Sequence, residues 1–256
     1  AGLVAAVWHL WGGGGDATGP LLKWAAPALG LGFLGITGAL LVADLKRPER
    51  FWTILVRPQW RSWLARGAFV ITAYGAVLAG WAAASWLGAD RVLDWLAGPL
   101  AVLAIATAVY TAALFNQCEG RDLWQSPLLG LHLAVHAPVA ALAGLLVLGP
   151  VVGDQANLVS WGELVTGGLL LAAVLALVDG FGRHRTANAS AAARALVRGP
   201  FASWFWTALI PGAVVPAVML AMGPTAVYPV AAALALLGLW LYGHALVLAG
   251  QGPPIS

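Results

Sequence analysis

Charge is scarce in this chain. Asp, Glu, Lys and Arg make up 9% of its 256 residues, hydrophobic residues 61%, and the mean hydropathy is +0.86. Soluble domains carry about 25% charged residues, so this chain lacks the polar surface needed to face water on all sides. It reads as an integral membrane protein, and no polar stretch is long enough to fold as a separate soluble domain. Cysteine is almost missing: Cys118 stands alone, which excludes an intrachain disulfide and a four-thiolate iron–sulfur cluster. There is no C-x-x-C-H for covalent haem, and no Walker loop, H-E-x-x-H, G-x-S-x-G or glycine-rich dinucleotide fingerprint. An arginine-rich voltage sensor and a repeated filter loop are lacking too. The pI near 9.4 does not indicate nucleic acid, because the basic residues sit between apolar runs rather than on one soluble face.

What is present is a series of apolar runs of bilayer length. Residues 1–11 form a short one, about 16 Å as a helix and about half a bilayer core. It reads as the second half of a spanning helix whose start is missing, ended by the glycines at 12–15. Seven complete spans are expected near 21–45, 64–88, 95–117, 127–149, 161–182, 201–222 and 225–249. Pro20, Pro127, Pro200 and Pro224 stand at or near helix starts, where a missing N–H costs nothing. Pro211 and Pro216 are expected to kink the span at 201–222. Gly30, Gly32, Gly35 and Gly38 predict close helix approach. Runs this long, without alternation, exclude barrel strands. The 14 Trp, several near run ends, fit an interfacial aromatic belt.

The basic residues are asymmetric. Lys46, Arg47, Arg50, Arg57, Arg61, Arg66, Arg121, Arg183, Arg185, Arg194 and Arg198 fall in connections on one side, and only Lys23 and Arg91 on the other. The positive-inside bias assigns the rich side, and the C-terminus, to the cytoplasm. The junctions also echo one another. Asp44-x-x-Arg47 followed by Arg66-Gly67-x-Phe69 parallels Asp179-x-x-x-Arg183 followed by Arg198-Gly199-x-Phe201. The echo predicts two halves related by duplication; the competing explanation is that any helix end favours Asp and Arg.

Three clusters are candidates for chemistry. Asp44-Leu45-Lys46-Arg47-Pro48-Glu49-Arg50-Phe51-Trp52 follows a span directly. It reads as an interfacial helix end with snorkelling cations, or as a polar pocket floor in which Asp44 relays protons. Tyr110 lies about two turns inside its helix end, ahead of Asn116, Gln117, Arg121 and Trp124. A phenol there donates to a carbonyl without a buried charge, which suits a quinone head group; the alternative is a bond to a neighbouring backbone carbonyl. His132 and His136 share a face at i, i+4, and His244 lies at similar depth on the last span. His136 with His244 would serve as haem b ligands from different helices, or such residues make interhelical hydrogen bonds. His9 and His184 do not add to a haem site. Glu163, with Asp154 before it, reads as interfacial.

At the first two junctions the chain resembles the membrane subunits of the polysulfide reductase (NrfD/PsrC-like) family. The matching stretches are Asp44 to Trp52, then Ser62-Trp63-Leu64-Ala65-Arg66-Gly67-Ala68, then Tyr110-Thr111-Ala112-Ala113-Leu114 and Arg121-Asp122-Leu123-Trp124-Gln125-Ser126-Pro127. The closing Ala249-Gly250-Gln251 is also similar. The resemblance implies eight helices without haem, built as two four-helix bundles, here 1–125 with the quinone site and 126–256. It implies electron exchange between membrane quinone and a ferredoxin-like iron–sulfur subunit, which serves a molybdopterin catalytic subunit. Tyr110 matches a pocket tyrosine, while other pocket residues of the family precede the first helix. Lys46 stands where many members carry Gly, and His244 where Arg is common.

The expectation is therefore an all-α membrane anchor that is catalytic only within its complex and binds menaquinone or ubiquinone, with no haem or metal of its own. Tyr110 would hydrogen-bond the quinone. Asp44, held ionised by Arg47 or Arg50, would relay the proton, and Asn116, Gln117, Arg121 and Trp124 would shape the pocket mouth and partner surface. The iron–sulfur and molybdopterin subunits would dock on the cytoplasmic face of the inner membrane. The rival expectations are a haem b anchor of a respiratory complex, and a proton or solute transporter supported by the kinked span and Asp179.

Overall fold

The computed structural model describes residues 1–11, 19–44, 46–153 and 157–253. The glycines at 12–15, Leu45 and Asp154 lie outside the described residues. Those described form helices, turns and connections, with no strand among them. Seven helical segments are long and apolar enough to cross a bilayer: Leu21–Ala43, Trp63–Leu87, Asp90–Asn116, Leu129–Val152, Leu158–Phe181, Ala202–Met222 and Thr225–Gln251. The shorter apolar helix Gly2–Trp11 precedes them. Large apolar side chains such as Phe33, Leu40, Val102 and Val174 remain exposed, as side chains facing lipid do.

The chain divides into two compact units, Ala1–Thr111 and Ala112–Ser256. The expected border at 125/126 falls inside the second. The first unit holds α1 (Gly2–Trp11), α2 (Ala26–Ala43), the single turn α3 (Thr53–Val56), α4 (Trp63–Leu87) and most of α5 (Asp90–Asn116). Leu21–Ala25, directly after Pro20, is a π-helical turn leading into α2. Gly88 closes α4 in the left-handed conformation at φ 66°, which Gly adopts without a Cβ penalty. The sharp turn lets α5 begin at Asp90 rather than near 95, with an acid in its first turn where the helix dipole favours one.

The second unit contains α6 (Leu129–Val152), α7 (Leu158–Phe181), α8 (Ala187–Arg198), α9 (Ala202–Leu209), α10 (Val215–Met222) and α11 (Tyr228–Gln251). The sequence at 183–199 reads as a connection, yet most of it is helix α8. Thr186 caps it by accepting from the Ala189 N–H at 3.1 Å. Ala189, Ala192, Ala193, Leu196 and Val197 form its buried stripe. The expected kink is a π-helical turn, Ile210–Val214, between α9 and α10 and containing Pro211. There Gly212 and Gly238 meet backbone to backbone, an approach that a Cβ on either would block.

The expected close approach of the α2 glycines holds for one of the four. A Cβ on Gly30 would strike Leu78, whereas Gly32, Gly35 and Gly38 have open space beside them. The two Arg-Gly junctions also differ locally: Arg66-Gly67 lies within α4, and Arg198-Gly199 ends α8.

Candidate functional site

The open space beside Gly35 and Gly38 belongs to a groove of about 300 Å³ in the first unit. One wall is α2, through Gly35, Gly38, Leu41 and Val42. Another is the segment around α3, through Phe51, Ile54 and Leu55. Leu64, Ala68, Ile71 and Thr72 contribute from α4, and Tyr110 from α5. The lining is apolar apart from Thr72 and Tyr110. The Thr72 hydroxyl donates to the Ala68 carbonyl of its own helix at 2.7 Å, so its hydrogen is already committed. That leaves the Tyr110 phenol to bond a guest.

The sequence positions this ring through Gly67. A Cβ there would overlap the edge of the Tyr110 ring, so Arg66-Gly67 supplies the one residue type that admits it. Arg66 anchors the same turn by donating from Nε to the Trp60 carbonyl at 2.6 Å, with its guanidinium 4.8 Å from the Trp63 ring centre. Trp60 in turn stacks on Phe69 at 4.8 Å.

The other expected residues are distributed differently. Asp44 is exposed as the C-cap of α2 and does not line the groove. Among the described residues it forms no ion pair with Arg47 or Arg50, and both arginines are exposed. The expected charge-holding contact is therefore not made. The junction is extended by a proline turn, Pro48–Arg50, which carries the cations away from the helix end.

Asn116, Gln117, Arg121 and Trp124 fall in the second unit. Asn116 and Gln117 are exposed. Arg121 Nη1 donates to the carbonyls of Gln251 at 2.7 Å and Pro253 at 2.9 Å, tying this turn to the end of α11. Trp124 is buried edge-on to Phe115 and packs on Gly250, where any Cβ would strike its indole.

The histidines separate. His136 lies edge-on to His132, at 5.4 Å between ring centres, and to Tyr242, at 5.7 Å. His244 instead stacks on Trp240 at 5.4 Å and leans on Trp204 at 4.9 Å. Tyr242 and His244 are two positions apart on α11, so they point about 200° apart around it. His136 and His244 thus occupy different sides of that helix and do not face each other as a haem pair must. Among the described residues no group of three or more His, Cys, Asp or Glu is arranged to hold a metal ion.

The structure adds a polar cluster whose members the sequence shows only singly. His132 Nε2 lies 2.8 Å from Asp179 Oδ2, with both side chains buried. The Tyr242 hydroxyl donates to the same carboxylate oxygen at 3.3 Å, and Ser126 Oγ donates to the other at 3.4 Å. Ionisable residues inside apolar helices pair with one another because the alternative is an unsatisfied charge in hydrocarbon, a signal present in His132 and Asp179 individually. Tyr242 carries no such signal. In the first unit the buried His9 Nε2 meets Asp94 Oδ1 at 2.8 Å.

Comparison with known proteins agrees with this framework. The family described as "Polysulphide reductase, NrfD" matches residues 17–253. A "Putative dimethyl sulfoxide reductase membrane subunit" from Halobacterium salinarum is 28% identical over 258 aligned positions, covering 86% of this chain. The chain spans 59% of that relative's length. With the family match running over nearly its whole length, the chain belongs to the NrfD polysulphide reductase family of multi-pass membrane proteins.

Proposed function

We propose that this chain is the quinone-reactive membrane anchor of a molybdoenzyme oxidoreductase complex, and that the groove at Tyr110 receives the quinone head group. The observation that carries the reading is the groove itself. Its walls are apolar, and its phenol lies about 9 Å inside the end of α5, six residues before Asn116. These features fit a flat, lipid-soluble carbonyl compound, which needs apolar contact over its ring and a donor at its edge. A bound quinone supplies reversible two-electron, two-proton chemistry. The chain's own part is to bind and orient: Tyr110 donates from its hydroxyl, Leu41, Ile54 and Ile71 exclude water, and Gly67 fixes the ring's position.

Family membership and the relative's name support a partner set of a soluble iron–sulfur subunit and a molybdopterin catalytic subunit. Asp44, exposed beyond the groove on the basic side, is assigned to exchange protons with water there. Asn116, Gln117 and the neighbouring turn are assigned to the surface facing the soluble partner.

The test uses two variants in the assembled complex. Tyr110→Phe removes one hydrogen bond, worth about 1–1.5 kcal/mol, and is expected to lower quinol turnover about tenfold with assembly intact. Gly38→Leu adds a side chain where nothing obstructs it and fills the groove. It is expected to abolish binding of a quinone analogue measured by fluorescence quenching. Wild-type turnover in Tyr110→Phe together with wild-type analogue binding in Gly38→Leu would place the carrier elsewhere.

A further inference from the structure

The largest cavity among those described lies in the second unit, away from the groove at Tyr110, and its chemistry is different. It measures about 460 Å³ and sits where the end of α7 meets α8. Arg183 enters it from just past α7, and Arg194 and Arg198 from α8. The last two are i, i+4 and so share one helix face. Three guanidinium groups thus converge on one space. Among the described residues no carboxylate lies within ion-pairing distance of any of them. His184 also lines the cavity, and its Nε2 is buried without a hydrogen-bond partner. Ser190 is already used, donating to the Thr186 carbonyl at 3.0 Å.

Like charges gathered without counter-charge repel one another, and a buried imidazole nitrogen without a partner is costly. An anion with several acceptor oxygens relieves both. Guanidinium groups match phosphate oxygens with paired N–H donors. The cavity is also built for an amphiphile. Phe181 forms part of its lining and is exposed, and Val178, Val174 and Leu171 continue upward from it as an exposed apolar stripe at i, i−3, i−7 and i−10. The stripe runs from the cavity along the bilayer-length helix α7. A phosphate in the cavity with acyl chains against the stripe satisfies both surfaces, whereas free phosphate satisfies only one. Gly180 allows this arrangement, because a Cβ there would strike Val197 and push α8 away.

We propose that this cavity binds the phosphodiester of an anionic phospholipid, with Arg183, Arg194, Arg198 and His184 as donors and the Phe181 stripe as the acyl-chain surface. The site is independent of the quinone reading. Its test is made on the purified complex in detergent, stripped of lipid, by the shift in thermal midpoint. The additives are phosphatidylglycerol micelles, phosphatidylcholine micelles and millimolar inorganic phosphate.

Wild type is expected to be stabilised by phosphatidylglycerol and by neither of the others. Each basic residue near a lipid surface changes affinity about fivefold, so R194Q/R198Q is expected to need roughly 25-fold more phosphatidylglycerol for half the shift. R194K/R198K keeps the charges and is expected to lose only part of that affinity. Arg183→Gln, outside any helix, provides a second reading about fivefold weaker if the double variant does not fold. Four results would each overturn the proposal: equal shifts from the two lipids, the full shift from inorganic phosphate alone, an unchanged lipid response in R194Q/R198Q and Arg183→Gln, or loss of soluble partner subunits from R194Q/R198Q at wild-type lipid affinity.

Discussion

Asp179 accepts from His132, Tyr242 and Ser126, so replacing it with Ala strips an acceptor from three side chains together. His132 is almost wholly buried and cannot turn to water. Breaking a buried pair while leaving one member in place costs about 3–5 kcal/mol. Asp179→Ala is therefore expected to lower the unfolding midpoint in detergent sharply, with a free-energy loss in that range. Asp179→Asn keeps one carbonyl oxygen as acceptor and is expected to lose less than half as much. Equal losses in the two variants would mean that packing volume rather than hydrogen bonding holds the cluster. His132 and Asp179 are each visible in the sequence as ionisable residues in apolar runs. Their partnership is not, because it depends on the relative register of α6 and α7, which no local pattern sets. Tyr110 is legible as a donor near a helix end, and the structure adds why Gly67 precedes it in the motif. The contact of Asp44 with Arg47 or Arg50 is suggested by closeness in sequence alone, which says nothing of the proline turn at 48–50 that redirects the chain.

Helix α8 shows what length-based reading of hydropathy overlooks. The seven spans are legible because each is a bilayer-length run with few charges, and the structure returns them with shifted ends. A 12-residue amphipathic helix is too short and too polar on average to register as a span. Its signals are nevertheless present: a Thr cap at 186, then apolar positions at 189, 192, 193, 196 and 197. The cap is the part most open to test. Loss of a Thr N-cap costs about 1 kcal/mol, so Thr186→Ala is expected to fray the first turn of α8. Amide hydrogen exchange at 187–190 should accelerate about fivefold while α7 and α9 exchange as before. Exchange unchanged at those amides would show that the helix start is held by packing of Ala189 and Ala192 alone. The π-helical turn at Ile210–Val214 is legible only as a kink, since Pro211 fixes a missing N–H but not how neighbouring carbonyls are re-satisfied.

For the whole molecule, seven spans in succession force the connections to alternate between the two sides of the bilayer. The segments after Ala43, Asn116 and Phe181 and the end after Gln251 fall on one side. Those after Leu87, Val152 and Met222 fall on the other. The first set carries eleven of the 13 Lys and Arg if the opening turn of α4, with Arg66, is counted with its connection. The segments between Leu87 and Asp90 and between Met222 and Thr225 are tight turns without a basic residue. An asymmetry of this size sets orientation, because translocating a short basic loop is disfavoured during insertion. The basic side is accordingly assigned to the cytoplasm. A periplasmic-type phosphatase fused after Arg57 or Arg194 is expected to be inactive, and one fused after Gly88 or Gly223 active. The reverse pattern would put the basic side outside the cell. It would also move the soluble redox partner there, because the groove at Tyr110 lies toward the same end of its helices as the basic junction at 46–66. The arginines would then owe their positions to an acidic partner surface rather than to insertion, and the two origins separate in one further measurement. Charge set by insertion governs fusion activity in the subunit expressed alone, whereas charge set by a partner alters assembly and leaves fusion activity unchanged.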